Sequence, residues 1–273
     1  MPKIKVRDIE MYYEIRGEGR PLLMIMGFLA NADCWDPLCL MPTLTDRYKL
    51  ILFDNRGSGR TDYPGDPGEE FTIRLMADDA AALLDALGIE HAHVMGISMG
   101  GMIAEELAVN YPEKVDKLIL ASTYCGGEKS VSVPDKAANT IMEIGAEVEK
   151  RGAWDHEVAD MLLPNVFTDE YITENPGAVY IAAELILAAP TGIEALSEQV
   201  LAILTLDVCS QLSQIKAPTL ILAGKKDRYI PSDNAAIITK RIPGSKVIYL
   251  ENSGHMLMEE TEQVTDAVVE FFG

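Results

Sequence analysis

The chain is short of cysteine, of basic charge and of long apolar runs, and each shortage removes a class of function. Its four cysteines, Cys34, Cys39, Cys125 and Cys209, show no CxxC spacing and are too few to staple 273 residues. Free thiols are therefore expected, and no metal site. Lys and Arg number 23 against 43 Asp and Glu, a net charge of −20. Nucleic acid and anionic lipid both demand Lys/Arg patches that this balance does not provide, so neither is an expected partner. No stretch reaches the ~18 uninterrupted apolar residues of a membrane span, and Met1 to Arg20 carries charges where a secretory leader would be apolar. The sequence predicts a cytoplasmic protein.

What is present is ample apolar content, 48% of residues, enough for one large domain or a domain with an insert. Lys3 to Val6 and Met11 to Ile15 read as an opening hairpin. Six short apolar runs follow that read as buried strands: Leu22 to Met26, Leu50 to Phe53, His93 to Ile97, Leu118 to Ser122, Leu220 to Ala223 and Val247 to Leu250. Between them, Ile73 to Leu87, Met99 to Asn110, Ser232 to Arg241 and Thr261 to Phe272 place apolar residues three and four apart. Alternation of this kind predicts an α/β fold, a mostly parallel eight-stranded sheet with helices on both faces.

The alternation stops between residues 125 and 213. Apolar residues there recur at helical period, and Pro134, Gly152, Pro164, Pro176, Pro190 and Gly192 divide the stretch into four or five short helices. The expected organisation is a core of residues 1–124 and 214–273 with a helical lid, 125–213, over the carboxyl ends of the strands, where open α/β sheets bind ligands.

The most informative segment is HVMGISMGG, His93 to Gly101, a buried strand running into a helix through Gly96-Ile97-Ser98-Met99-Gly100. Small residues two before and two after the serine permit a strained turn that lifts Ser98 clear of the sheet. The turn sets it at a helix N-terminus, which favours developing negative charge. Here the chain resembles the α/β-hydrolase family, whose G-x-S-x-G elbow occupies a strand-turn-helix context. Two further segments match in the family's order of nucleophile, acid and histidine. They are LILAGKKDRYIP, offering Asp227 as the acid, and NSGHMLMEE, offering His255 as the base. The chemistry requires these residue types. A serine hydroxyl needs a base that titrates near neutrality, and a buried carboxylate fixes the imidazole tautomer and steadies the imidazolium that forms.

The resemblance also implies an oxyanion hole from two backbone N–H groups. One is that of Met99, after the nucleophile; the other is that of Phe28, in Met26-Gly27-Phe28-Leu29-Ala30-Asn31. This loop matches the family's frequent HGF pattern except that Met26 replaces the histidine. Gly27, Tyr124 and Trp154 are the further substrate-binding candidates. His91 and His93 flank the start of the elbow strand and are expected to be structural, as is Arg56 in Asp54-Asn55-Arg56-Gly57-Ser58-Gly59-Arg60-Thr61-Asp62, which resembles the family's D-x-R-G-x-G-x-S turn. His156 is expected on a solvated surface. Met24, Met26, Met95, Met99, Met102, Met256 and Met258 fall near the site, mainly as core filling. Neither G-x-G-x-x-G nor G-x-x-x-x-G-K-[ST] is present, so no nucleotide is expected, and no cofactor or metal is implied.

A serine nucleophile disfavours the dehalogenases and epoxide hydrolases of the family, which use aspartate. The chain looks like its lidded serine hydrolases: carboxylesterases, enol-lactonases, carbon-carbon bond hydrolases and cofactor-free haloperoxidases or perhydrolases. Net charge tilts the expectation toward a small neutral ester or lactone cleaved through an acyl-enzyme. The reading from a different class is a non-catalytic small-molecule receptor on the same fold.

Overall fold

The computed structural model describes residues 2–38, 40–64 and 70–273. It contains strands β1 (Lys3–Val6), β2 (Ile9–Arg16), β3 (Arg20–Ile25), β4 (Tyr48–Phe53), β5 (Ala92–Ile97), β6 (Val115–Ala121), β7 (Thr219–Gly224) and β8 (Lys246–Leu250). These join in one sheet of order β1-β2-β4-β3-β5-β6-β7-β8. The opening hairpin β1-β2 and the β2-β4 pairing are antiparallel; every pairing from β4 to β8 is parallel. The hairpin's second strand starts at Ile9, two residues before the sequence predicts, and Met26 lies just past β3 in the loop that follows it.

Outside the insert the helices are α1 (Leu40–Thr45), α2 (Ile73–Ala86), α3 (Met99–Asn110), α9 (Asp233–Thr239) and α10 (Thr261–Phe272). Of these, α2 packs with α3 and α1 with α10, while α9 lies against β7 and β8. Thr72 starts α2 by accepting from the Leu75 N–H at 3.1 Å, satisfying one of the orphan donors of the first turn. Helix α1 has no counterpart in the sequence reading, because six residues hold too little of a 3.6-residue period to be recognised.

Between β6 and β7 lie five further helices: α4 (Asp135–Arg151), α5 (His156–Val166), α6 (Asp169–Glu174), α7 (Pro176–Ala188) and α8 (Ile193–Thr205). Gly152 caps α4 at φ +68°, and Pro176 opens α7. Pro164 does not separate two helices as expected; it sits within α5, which ends two residues later. The two ends of the insert are tied at a neck. Gly126 bridges Asp207, Gly127 N–H donates to Leu206 O at 2.9 Å and Val208 N–H to Cys125 O at 3.1 Å. Gly126 has φ +68°, and a Cβ there would lie 1.9 Å from Leu206 O, so only glycine allows the strands of the neck to meet. Cys34, Cys125 and Cys209 are buried free thiols; Cys39 lies outside the described residues. Among the described residues no single helix is long and apolar enough to cross a membrane; α7 and α8 pass only as a pair bent by 111°.

His91 pairs with Asp116 at 2.8 Å on the surface, whereas His93 is fully buried, stacked on Phe272 at 4.8 Å, and neither of its ring nitrogens has a partner among the described residues. Burial, reinforced by the charge of Arg20, lowers its pKa from 6.5 to about 4. The unfolded chain thus takes up a proton near pH 6.5 that the folded chain refuses until about pH 4. This contribution to stability is intact above 6.5 and is lost as pH falls through that window. The loss amounts to roughly 3 kcal/mol. Urea unfolding between pH 7 and 4 should show that decline, and His93→Leu should flatten it.

Candidate active site

Ser98 stands between β5 and α3 with φ +57° and ψ −123°, a conformation that L residues adopt only under constraint. The constraint is visible on both sides. Its N–H donates to Ala121 O at 2.9 Å, and its carbonyl accepts from Gly101 N–H at 2.9 Å and from the Thr123 hydroxyl at 2.8 Å. Glycine is required where the turn closes. A Cβ on Gly96 would lie 2.2 Å from Gly100 O, and one on Gly100 would lie 2.0 Å from Ile25 O. Met99 begins α3, so its N–H has no acceptor within the helix.

Asp227 lies in the loop after β7 and His255 in the loop after β8. The two loops approach so closely that a Cβ on Gly224 would sit 2.3 Å from Gly254 O, and Lys226 N–H donates to Ser253 O at 3.0 Å. One Asp227 carboxylate oxygen, Oδ1, accepts from the N–H groups of Tyr229 and Ile230 at 2.8 and 2.9 Å; Oδ2 lies 2.8 Å from His255 Nδ1. With the proton of the imidazole on Nδ1, Nε2 is left as an acceptor. The Tyr229 ring meets the imidazole edge to face at 5.4 Å.

Ser98 and His255 share the wall of one cavity, partly open to solvent. The structure thus brings His255 onto Asp227 and faces it, with Ser98, into common space; no hydrogen bond joins Ser98 to His255. Such contacts in unliganded sites are often long and tighten with substrate. Among the described residues the wall carries no Asp, Glu, Lys or Arg. Its remaining heteroatoms are those of Tyr124, whose hydroxyl donates to Ile203 O at 3.1 Å, of Tyr229, of the thioethers and of Cys34, whose thiol burial pushes up to about 12.

Gly27 and Phe28 line the cavity, and a Cβ on Gly27 would press on Ser98 Cβ at 3.0 Å. The loop they occupy is held without the histidine that Met26 replaces. Asn55 Nδ2 donates to Met26 O at 2.8 Å, Ala32 N–H donates to Asp54 Oδ1 at 2.7 Å, and Leu29 takes the left-handed conformation at φ +63°. Tyr124 lines the cavity, as do Met26, Met102, Met256 and Met258. Met24, Met95 and Met99 are core residues. Trp154 is not on the wall; its indole N–H donates to Thr191 O at 2.9 Å within the insert. His156 pairs with Glu184 at 3.0 Å on the exposed side of the insert. The insert also contributes to the wall, through Leu162, Val166, Phe167, Ile186 and Ile203, and no motif in the sequence marks these residues. Their only signal is helical spacing, which is the same for a residue facing a cavity as for one facing a core.

A parallel sheet with a strained serine at its strand-helix elbow, and a histidine-aspartate pair from its last two loops, defines the α/β-hydrolase class of architecture. The alpha/beta hydrolase fold model matches residues 20–170. The chain belongs to that family. It is similar, at 29% identity over 97% of this chain and 95% of the relative, to a protein of Azorhizobium caulinodans named provisionally as the carbamate hydrolase RutD. Among solved structures it resembles the enol-lactonase from Burkholderia xenovorans, with a TM-score of 0.86, 23% identity and 99% of each chain covered. It also resembles a thermophilic esterase from Thermogutta terrifontis, with a TM-score of 0.82, 26% identity and coverage of 99% and 97%.

Proposed function

We propose that this chain is a serine hydrolase that cleaves neutral esters or lactones with an apolar acyl group, through an acyl-enzyme on Ser98. The observation that carries the reading is the uncharged cavity wall holding Ser98 together with an Asp227-paired His255. His255 Nε2 takes the Ser98 proton as the hydroxyl attacks the acyl carbon, and Asp227 steadies the imidazolium. The N–H groups of Met99 and Phe28 stabilise the oxyanion, a contribution that typically amounts to about 10² to 10³ in rate for each donor. His255 returns the proton to the leaving oxygen, and water then releases the acid by the same steps in reverse order. The insert acts as the lid that seats the acyl chain, with α5, α7 and α8 supplying apolar wall. Neither metal nor cofactor enters this sequence of steps.

Preference for a neutral substrate follows from desolvation. A second carboxylate carried into this wall would meet no cation, and burying an uncompensated charge costs several kcal/mol. A fluorophosphonate should label Ser98 alone, read as a single mass adduct on its peptide. p-Nitrophenyl esters of medium apolar acyl chains should then exceed carboxylate-bearing dienoates or lactones by about 100-fold or more in kcat/KM. A chain that binds apolar esters without labelling or turnover would instead be a non-catalytic receptor. A dienoate as the best substrate would place it with the carbon-carbon bond hydrolases.

A further inference from the structure

The corner of the insert between α5 and α6, residues 164–169, touches both loops that carry the candidate acid and base. Val166 O accepts from the backbone N–H of His255 at 3.0 Å and of Met256 at 3.4 Å. On the far side of the same loop, Glu259 Oε1 accepts from Thr168 N–H at 3.0 Å. Arg228, the residue after Asp227, donates to Pro164 O at 2.6 Å and pairs with both carboxylate oxygens of Asp169 at 3.0 and 2.8 Å. The packing is close as well: a Cβ on Gly254 would meet Val166 O at 3.1 Å and Glu259 Oε1 at 3.2 Å.

The loop gripped in this way is not at ease. Leu257, two residues after His255, takes φ +58°, a left-handed conformation that a branched apolar residue holds only when its surroundings over-determine it. Bonds from the insert flank the strained residue, His255 and Met256 to Val166 on one side and Glu259 to Thr168 on the other. The exposed Arg228–Asp169 pair is too solvated to provide much of the hold, since Asp169 is 75% exposed. The shielded backbone bonds and Glu259 must supply it.

We propose, building on the role of Ser98 above, that Glu259 is a positioning residue for His255. By fixing Thr168 N–H it clamps the α5–α6 corner of the insert onto the loop after β8, holds Leu257 in its strained conformation and keeps the imidazole in line with Asp227 and Ser98. The insert is then more than a cover. One corner of it is part of the frame of the proton-transfer row, and opening for substrate takes place away from residues 164–169.

A pair of substitutions at Thr168 isolates the bond. Thr168 has φ −73°, and Phe167 before it has φ −112° and ψ 158°, values that suit proline and the residue preceding it. Thr168→Pro thus removes the N–H without bending the chain. Both Thr168→Pro and Thr168→Ala lose the hydroxyl that accepts from Tyr171 N–H, but only the proline loses the donor to Glu259. Activity is read as kcat per active site, with sites counted by fluorophosphonate titration and folding checked by Tm. Thr168→Pro and Glu259→Ala should lower kcat by about 10- to 100-fold with KM nearly unchanged, because misplacing a reacting group by about 1 Å has costs of that size. Thr168→Ala should stay within about threefold of the parent, and Glu259→Gln, which keeps a carbonyl acceptor, should recover most of the rate. If folded Thr168→Pro and Glu259→Ala keep the parental kcat per titrated site, or if Thr168→Ala falls as far as Thr168→Pro, the clamp is refuted while the Ser98 chemistry stands. A parent chain that takes no label overturns both.

Discussion

Ser98→Ala should abolish ester turnover, lowering kcat by about 10⁴- to 10⁶-fold, with little change in KM or in Tm. The separation of effects follows from what the hydroxyl does in the structure. Its neighbours are held through the Ser98 backbone, by Ala121 O, Gly101 N–H and the Thr123 hydroxyl, so the elbow does not depend on Oγ. Alanine at φ +57° carries the same backbone strain as serine and leaves the apolar wall of the cavity intact. Substrate should thus still bind, which keeps KM, while the bond-forming group is gone. His255→Ala should cost a similar factor, and the double variant scarcely more, because nucleophile and base act as one unit. Additive losses in the double variant, or appreciable turnover by Ser98→Ala under steady-state assay with a p-nitrophenyl ester, would place the nucleophile elsewhere.

The fold and the groups of the candidate site are legible in the sequence for different reasons. The strands of the sheet announce themselves as short apolar runs because they are buried on both faces; all six residues of β5 and of β7 are buried. The elbow announces itself because the turn leaves no room for side chains at Gly96 and Gly100, and that requirement is written as a spacing. Asp227 and His255 follow each at the end of a strand, close to a glycine that lets their loops meet. What was hidden is the contribution of the insert. Val166 acts through its carbonyl, which every residue has, and Thr168 through its N–H. The left-handed conformations of Leu29 and Leu257 are imposed by tertiary contacts on residues whose type argues against them. Trp154 drew attention as a large aromatic in the expected lid, yet its polar edge is satisfied by Thr191 O inside that block.

Asp79→Ala should destabilise the fold by about 3 to 5 kcal/mol, lowering Tm on the order of 10 °C, without touching the reacting groups. Arg56, fully buried, donates to both Asp79 oxygens at 2.7 and 2.8 Å and to Asp8 at 2.9 and 2.6 Å. Asp79 is itself 1% exposed, whereas Asp8 is 40% exposed and solvated. Removing Asp79 strands a guanidinium in the interior with only a surface carboxylate to answer it. That guanidinium cannot escape by losing its proton, since arginine stays protonated in proteins and Asp8 still accepts from it. Arg56→Met should be milder, because burial already raises the pKa of Asp79 and its carboxyl, with Arg7 3.5 Å away, can take up a proton instead. The double variant Arg56→Met/Asp79→Leu should regain most of what Asp79→Ala loses, because two apolar side chains carry no desolvation cost. The consequence reaches the insert. Gln199 donates to Arg56 O and Gly192 N–H to Gly57 O, both at 2.9 Å, so the turn that Arg56 organises is also where α8 rests on the core. Chemical denaturation of the parent, Arg56→Met, Asp79→Leu and the double variant gives the coupling directly. If the double variant lost as much stability as the two single variants together, the buried pair would not be the element that holds this turn.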